Sequence, residues 1–189
     1  MALSISAAPV TFHSGPSDGG NDRSPGNIVI APRGVWATEP GSQWISFMDT
    51  GVGGVTLPDD FINPFASFWV NFTLPSSLHH TGTINVWADD TADVYLNNLL
   101  IGSAAPALGA NCASTAPSCI KILGGRYTVT NPLLHSGVNT LRIDVYQRGG
   151  DVAGVLYSGS VDSTAPEPAT YAMMTLGLAA LGLISRRRR

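Results

Sequence analysis

Between Ser67 and Leu74 hydrophobic and polar positions alternate strictly: Phe68, Val70, Phe72 and Leu74 share one face, and Trp69, Asn71 and Thr73 the other. A period of two marks a strand with one buried face. The period returns in Thr83–Ala88, with Ile84, Val86 and Ala88 inward and Trp87 outward. It is clearest in Asn139–Tyr146, where Leu141, Ile143 and Val145 face in and Thr140, Arg142, Asp144 and Tyr146 face out. Val94 and Leu96 pair with Leu99 and Ile101 across Asn97-Asn98, two residues that tolerate positive φ in a tight hairpin. Shorter strands are expected at 27–31, at 44–47 after the Pro40-Gly41 turn, at 126–129 and at 152–161. Before residue 169 no segment carries a helical stripe. About eight or nine short strands separated by Gly, Pro and Asn turns predict an all-β domain, an antiparallel jelly-roll β-sandwich, over 28–162.

The pattern changes at the C-terminus. Ala169–Ile184 contains no charged side chain; Pro166-Glu167-Pro168 precedes it, and Arg186, Arg187, Arg188 and Arg189 end the chain. Sixteen helical residues span roughly 24 Å against a hydrocarbon core of about 30 Å. Snorkelling arginine stems and local thinning of the bilayer close that gap. The expectation is a single C-terminal transmembrane helix at about 169–185 within a tail, 163–189, whose basic end at 186–189 stays cytoplasmic. The rest of the chain then lies outside the cytoplasm. At the other end, residues 1–8 read as the remnant of a signal peptide whose remainder lies upstream of a misassigned start, and 9–27 as a flexible lead-in rich in Gly, Ser, Pro and Asp.

The order Pro-Glu-Pro, apolar span, arginine run closely resembles the PEP-CTERM sorting signal of Gram-negative bacteria. The resemblance covers 166–189 and implies a partner, an exosortase of the inner membrane, that recognises Pro166, Glu167 and Pro168. It also implies transient anchoring in that membrane, followed by passage to the cell surface or the extracellular polysaccharide matrix of a biofilm. A second resemblance rests on Ile84–Asn97 and on His135–Ile143, which look like the paired core strands of galactose-binding-like jelly rolls. That fold serves many carbohydrate-binding modules, and it carries no invariant binding residues to transfer.

Charge narrows the partners. The chain has 10 basic and 13 acidic side chains, but four of the basic ones are the terminal arginines, so the acidic body offers nucleic acid no electrostatic footing. The two cysteines, Cys112 and Cys119, sit in a Gly/Ala/Ser/Pro loop; in an oxidising compartment they form a local disulfide worth about 2 to 2.5 kcal/mol by loop entropy. A metal or redox pair is the alternative, although the spacing is not C-x-x-C and no further ligand is near in sequence.

Catalysis finds little support. There is no G-x-S-x-G elbow, and His13, His79, His80 and His135 form no zinc motif and read as solvated loop residues. The expected body is a non-enzymatic module that contacts exopolysaccharide; the alternative is a secreted polysaccharide hydrolase with the same tail. Trp69, Trp87 and Tyr146 are the candidate ligand-binding rings, because they fall on outward strand positions where a flat ring can stack on a sugar. Asp89, Asp90 and Asp93 bracket a turn and offer oxygen ligands of the kind Ca²⁺ takes, with a solvated turn cap as the plain reading. No other cofactor is expected.

Overall fold

The alternating stretches become the long central strands of two sheets. The computed structural model describes residues 6–60, 62–76, 79–104, 112–165 and 176–178. Its strands are β1 (Ser6–His13), β2 (Gly20–Asn21), β3 (Ile28–Val29), β4 (Ile45–Ser46), β5 (Ala66–Leu74), β6 (His79–Asp89), β7 (Thr91–Leu96), β8 (Leu99–Gly102), β9 (Gly125–Thr130), β10 (Gly137–Tyr146) and β11 (Gly154–Thr164). A six-stranded sheet runs β3-β4-β11-β6-β9, with β1 also on β11; a five-stranded sheet runs β2-β5-β10-β7-β8. Every pairing is antiparallel. The body is thus an all-β sandwich.

Its core is made by the residues that the alternation turns inward. Phe68, Val70, Phe72 and Leu74 of β5 meet Leu141, Ile143 and Val145 of β10 on one side, and Ile84, Val86 and Ala88 of β6 with Val155, Tyr157 and Val161 of β11 on the other. Each is 6% exposed or less, and each large apolar side chain so buried contributes about 1.5–3 kcal/mol. The β7–β8 hairpin turns on Asn97 (φ 51°) and Asn98 (φ 65°), both left-handed, as its two-residue length requires. Asn97 also donates to the Leu133 carbonyl and to Asn139, which ties the turn to the neighbouring loop.

Among the described residues eleven strands replace the eight or nine expected, and the additional ones, β1 and β2, lie in the stretch that reads as a signal remnant and flexible lead-in. One aromatic residue explains β1. Phe12 crosses the sandwich to stack on Phe72, with ring centroids 4.7 Å apart. Its partner in the ladder is Gly159, where a Cβ would come within 2.1 Å of the Phe12 ring. The glycine leaves the space that the ring fills. His80 is a second correction: it is fully buried in β6, with Nδ1 2.9 Å from Ser163 Oγ, rather than solvated.

Leu176, Gly177 and Leu178 are helical. The rest of the expected membrane span at 169–185, the tripeptide at 166–168 and the arginines at 186–189 lie outside the described residues. Among those described, no helix is long and apolar enough to cross a membrane.

Candidate functional site

The outer face of the five-stranded sheet carries one continuous row. Trp69 on β5 stands opposite Arg142 on β10, Arg142 opposite Tyr95 on β7, and Tyr95 opposite Leu100 on β8. On its other side Trp69 faces Gly20 of β2, where a Cβ would lie 3.0 Å from the indole, so the ring rests over the glycine. The Arg142 guanidinium sits 4.1 Å from the centre of the Tyr95 ring, a cation–π contact. Trp69, Arg142 and Tyr95 are all half-buried, each backed by the sheet and open on one side.

Polar groups frame this row. Thr140 Oγ1 donates to Asn71 Oδ1 at 2.7 Å along one flank. Along the other, Asp144 and Asp93 stand directly opposite one another. Like charges so placed repel, and three partners offset the repulsion. Arg142 Nε lies 3.3 Å from Asp144 Oδ1, the Tyr146 hydroxyl donates to Asp93 Oδ2 at 3.0 Å, and the Ala104 N–H donates to Asp93 Oδ1 at 2.6 Å. Burial, and then the hydrogen bond and charge of Asp93, push the Tyr146 phenol up to about 12, so it keeps its proton across the physiological range. The assembly is a half-open aromatic strip flanked by hydroxyl, amide and carboxylate groups, which is the donor set that orients a polyhydroxylated ligand.

Trp87 does not belong to it. It points away from the main core, as the alternation requires, but it lies on the six-stranded sheet and is only 7% exposed. A roof formed by residues 30–44 and 112–124 closes over it. Trp87 packs with Trp36, Trp44, Ile30, Leu156 and Cys119, and its Nε1 donates to the Lys121 carbonyl at 3.2 Å. Trp87 is therefore a core residue of this second cluster and offers no ring to a ligand.

The three aspartates also part company. Asp90 accepts from the Cys112 and Arg148 N–H groups, and Asp93 is occupied as described. Asp89 turns into the second cluster at 1% exposure. Among the described residues, oxygens of these three carboxylates do not gather within 4.8 Å of one another. Burial, reinforced by the hydrogen bond and charge of Asp90, pushes the Asp89 carboxyl up to about 9, against a smaller opposing pull from Arg33. Cys112 and Cys119 are bonded to each other.

The comparisons with known proteins add the tail. Residues 164–189 carry a PEP-CTERM protein-sorting motif. The motif marks export and sorting to the cell surface and implies exosortase processing; it begins at Thr164, the last residue of β11. The PEP-CTERM match leaves the body unassigned, and no curated protein matches the chain. Among solved structures the body is similar to a family 35 carbohydrate binding module from Clostridium thermocellum, at 13% identity and TM-score 0.42, covering 81% of this chain and 98% of that one. It is also similar to CBM35 from Paenibacillus barcinonensis, at 16% identity and TM-score 0.38 over 78% and 97%. A third is the CBM36-1 domain of a multidomain xylanase from the hindgut metagenome of Trinervitermes trinervoides, at 12% identity and TM-score 0.36 over 80% and 95%.

Of the candidate rings, then, Trp69 and Tyr146 share one face and Trp87 is elsewhere. Arg142 and Tyr95, which complete the row, are outward positions on β10 and β7 that alternation alone places correctly. What joins them to Trp69 is the strand order β5-β10-β7, a non-local fact with no signature in any one segment.

Proposed function

We propose that this is an exported protein whose tail is recognised by an exosortase through Pro166, Glu167 and Pro168, held for a time in the inner membrane, and released to the cell surface or matrix, where its body binds exopolysaccharide without catalysis. The row Trp69–Arg142–Tyr95 carries the reading of the body: two flat rings and a guanidinium lie on one open sheet face, flanked by Asn71, Thr140 and Tyr146. Stacking on the rings would supply affinity, and the flanking donors and acceptors orientation. The tail reading rests on the PEP-CTERM motif and on its position. Only Ala165 separates the final ladder residue from Pro166, so the processing enzyme must work close to the folded sandwich.

Retention of the purified body on immobilised acidic and neutral exopolysaccharides tests the first part. Trp69→Ala is expected to lower retention at least ten-fold with the fold intact, whereas Trp69→Ala bound as tightly as the parent rejects this face as the site. For the tail, Glu167→Ala is expected to leave the protein in the inner-membrane fraction; normal release of that variant rejects recognition through the tripeptide.

A further inference from the structure

The roof over Trp87 is pinned by the Cys112–Cys119 disulfide, and an acid lies beside it. A carboxylate oxygen of Asp89 and both sulfurs lie within 4.8 Å of one another. Asp89 ends β6 at 1% exposure, and its Oδ2 has no hydrogen-bond partner. An unpaired buried oxygen costs stability. The two residues differ in access, Cys112 being half-buried and Cys119 fully buried. While the bond is intact neither sulfur is a thiolate, so the three atoms are no metal centre in this state. They do match the needs of thiol–disulfide exchange, which requires one sulfur that can be reached and a means of neutralising the one that leaves.

We propose that Cys112–Cys119 is a reactive disulfide opened at Cys112 by an external dithiol, with Asp89 giving its proton to the departing Cys119 sulfur. A thiolate of the dithiol attacks Cys112 Sγ. A mixed disulfide forms as the Cys112–Cys119 bond breaks, and the electron pair goes to Cys119 Sγ, which takes the Asp89 proton. The second thiolate of the dithiol then displaces Cys112, which takes a proton from water, as does Asp89. Overall the dithiol is oxidised to its cyclic disulfide and the protein pair is reduced to two thiols. Burial of a thiolate at Cys119, far from water, is the costly moment of this exchange, and a neutral acid within 4.8 Å is placed to remove it.

The groups facing Asp89 keep that acid neutral. Burial acts first, Asp90 adds to it, and Arg33, which is paired with Asp151, and the Trp36 indole act in the opposite direction. Both oxygens of Asp90 accept from the Cys112 and Arg148 N–H groups, which holds it beside Asp89. Opening the bond loosens the 112–124 part of the roof, which packs in one cluster with Trp36, Trp44 and Trp87, and this makes the exchange visible in tryptophan fluorescence.

The test uses the full chain under anaerobic dithiothreitol, with thiols trapped by alkylation and counted by mass. Asp89→Asn is expected to open about ten-fold more slowly at pH 7, the gap narrowing as pH rises through 9. Equal rates at pH 7 overturn the proposal. Two further variants decide the matter if Asp89→Asn fails to fold. With oxidised glutathione, Cys119→Ser is expected to form a mixed disulfide at Cys112 while native Cys112→Ser leaves Cys119 unmodified; the reverse order of reactivity overturns it.

Discussion

Trp69 and Trp87 hold the same place in the alternation of their strands, each pointing away from the main core, and they end in opposite surroundings. Trp69 lies on a sheet face with Gly20 beneath it and Arg142 beside it, half-open to solvent. Trp87 lies under two loops, with Gly124 so close that a Cβ there would come within 2.1 Å of the indole nitrogen. Strand periodicity therefore reports the direction of a side chain and not what covers it. One sheet face of this sandwich is a candidate ligand platform. The other is partly roofed and holds a second hydrophobic core.

The largest effect should separate the two tryptophans. Trp87→Ala empties a site in a packed cluster and is expected to cost about 3–5 kcal/mol, lowering Tm by roughly 10 °C. Trp69→Ala is expected to cost under about 1 kcal/mol, as a half-exposed residue with no cavity to leave. Thermal unfolding of the two variants measures both, and equal losses would erase the distinction between the faces.

Next comes the acid beneath the roof. The folded pKa of Asp89, about 9, stands above the ordinary carboxyl value of 3.8, so the native state favours the protonated form. Its contribution to stability is complete below the ordinary value and declines as pH rises through 9, with a slope of up to about 1.4 kcal/mol per pH unit. Asp89→Asn, which cannot ionise, is expected to become more stable relative to the parent as pH is raised from 5 to 8, read from urea midpoints. His80 runs the other way, because burial holds its pKa below the usual 6.5, assisted by the charges of His79 and His135. Its contribution is complete above the ordinary value and declines as pH falls through the folded one. His80→Gln is expected to lessen the loss of stability between pH 7 and pH 5, an effect smaller than that at Asp89.

These contrasts follow the line between what was legible in the sequence and what was not. Phe68, Val70, Phe72 and Leu74, or Leu141, Ile143 and Val145, could be assigned to the core because period two is a local property and both strands are long enough to show it. The Asn97-Asn98 hairpin was legible for the same reason, since its turn chemistry lies within two residues. The strand β1 was not, because Val10 and Phe12 are too short an alternation to stand out among small and polar residues, and Phe12 gains its place from Phe72 and Gly159, far along the chain. Nor was the roof. Nothing near Trp87 in sequence announces Trp36, Trp44 or the loop of Cys119, and nothing near Cys112 announces Asp89. Of the candidate site, the individual outward residues could be read, and their assembly into a row could not.

The smallest effect tests that row directly. Arg142 is held between two outward rings, with its guanidinium against Tyr95 and its Nε toward Asp144. Lysine at this position keeps the charge but loses the flat, delocalised group that stacks on tyrosine. Arg142→Lys is expected to cost at most about 1 kcal/mol, the size of a partly exposed cation–π contact, so Tm should move by only a few degrees. If the row acts as one ligand surface, retention on exopolysaccharide should fall several-fold in this variant while the fold is unaffected, because the lysine stem no longer fixes the plane between Trp69 and Tyr95. Unchanged retention with Arg142→Lys, alongside lost retention with Trp69→Ala, would shrink the platform to the indole and its β2 neighbours. The comparison would then be between two isolated tryptophans rather than two faces.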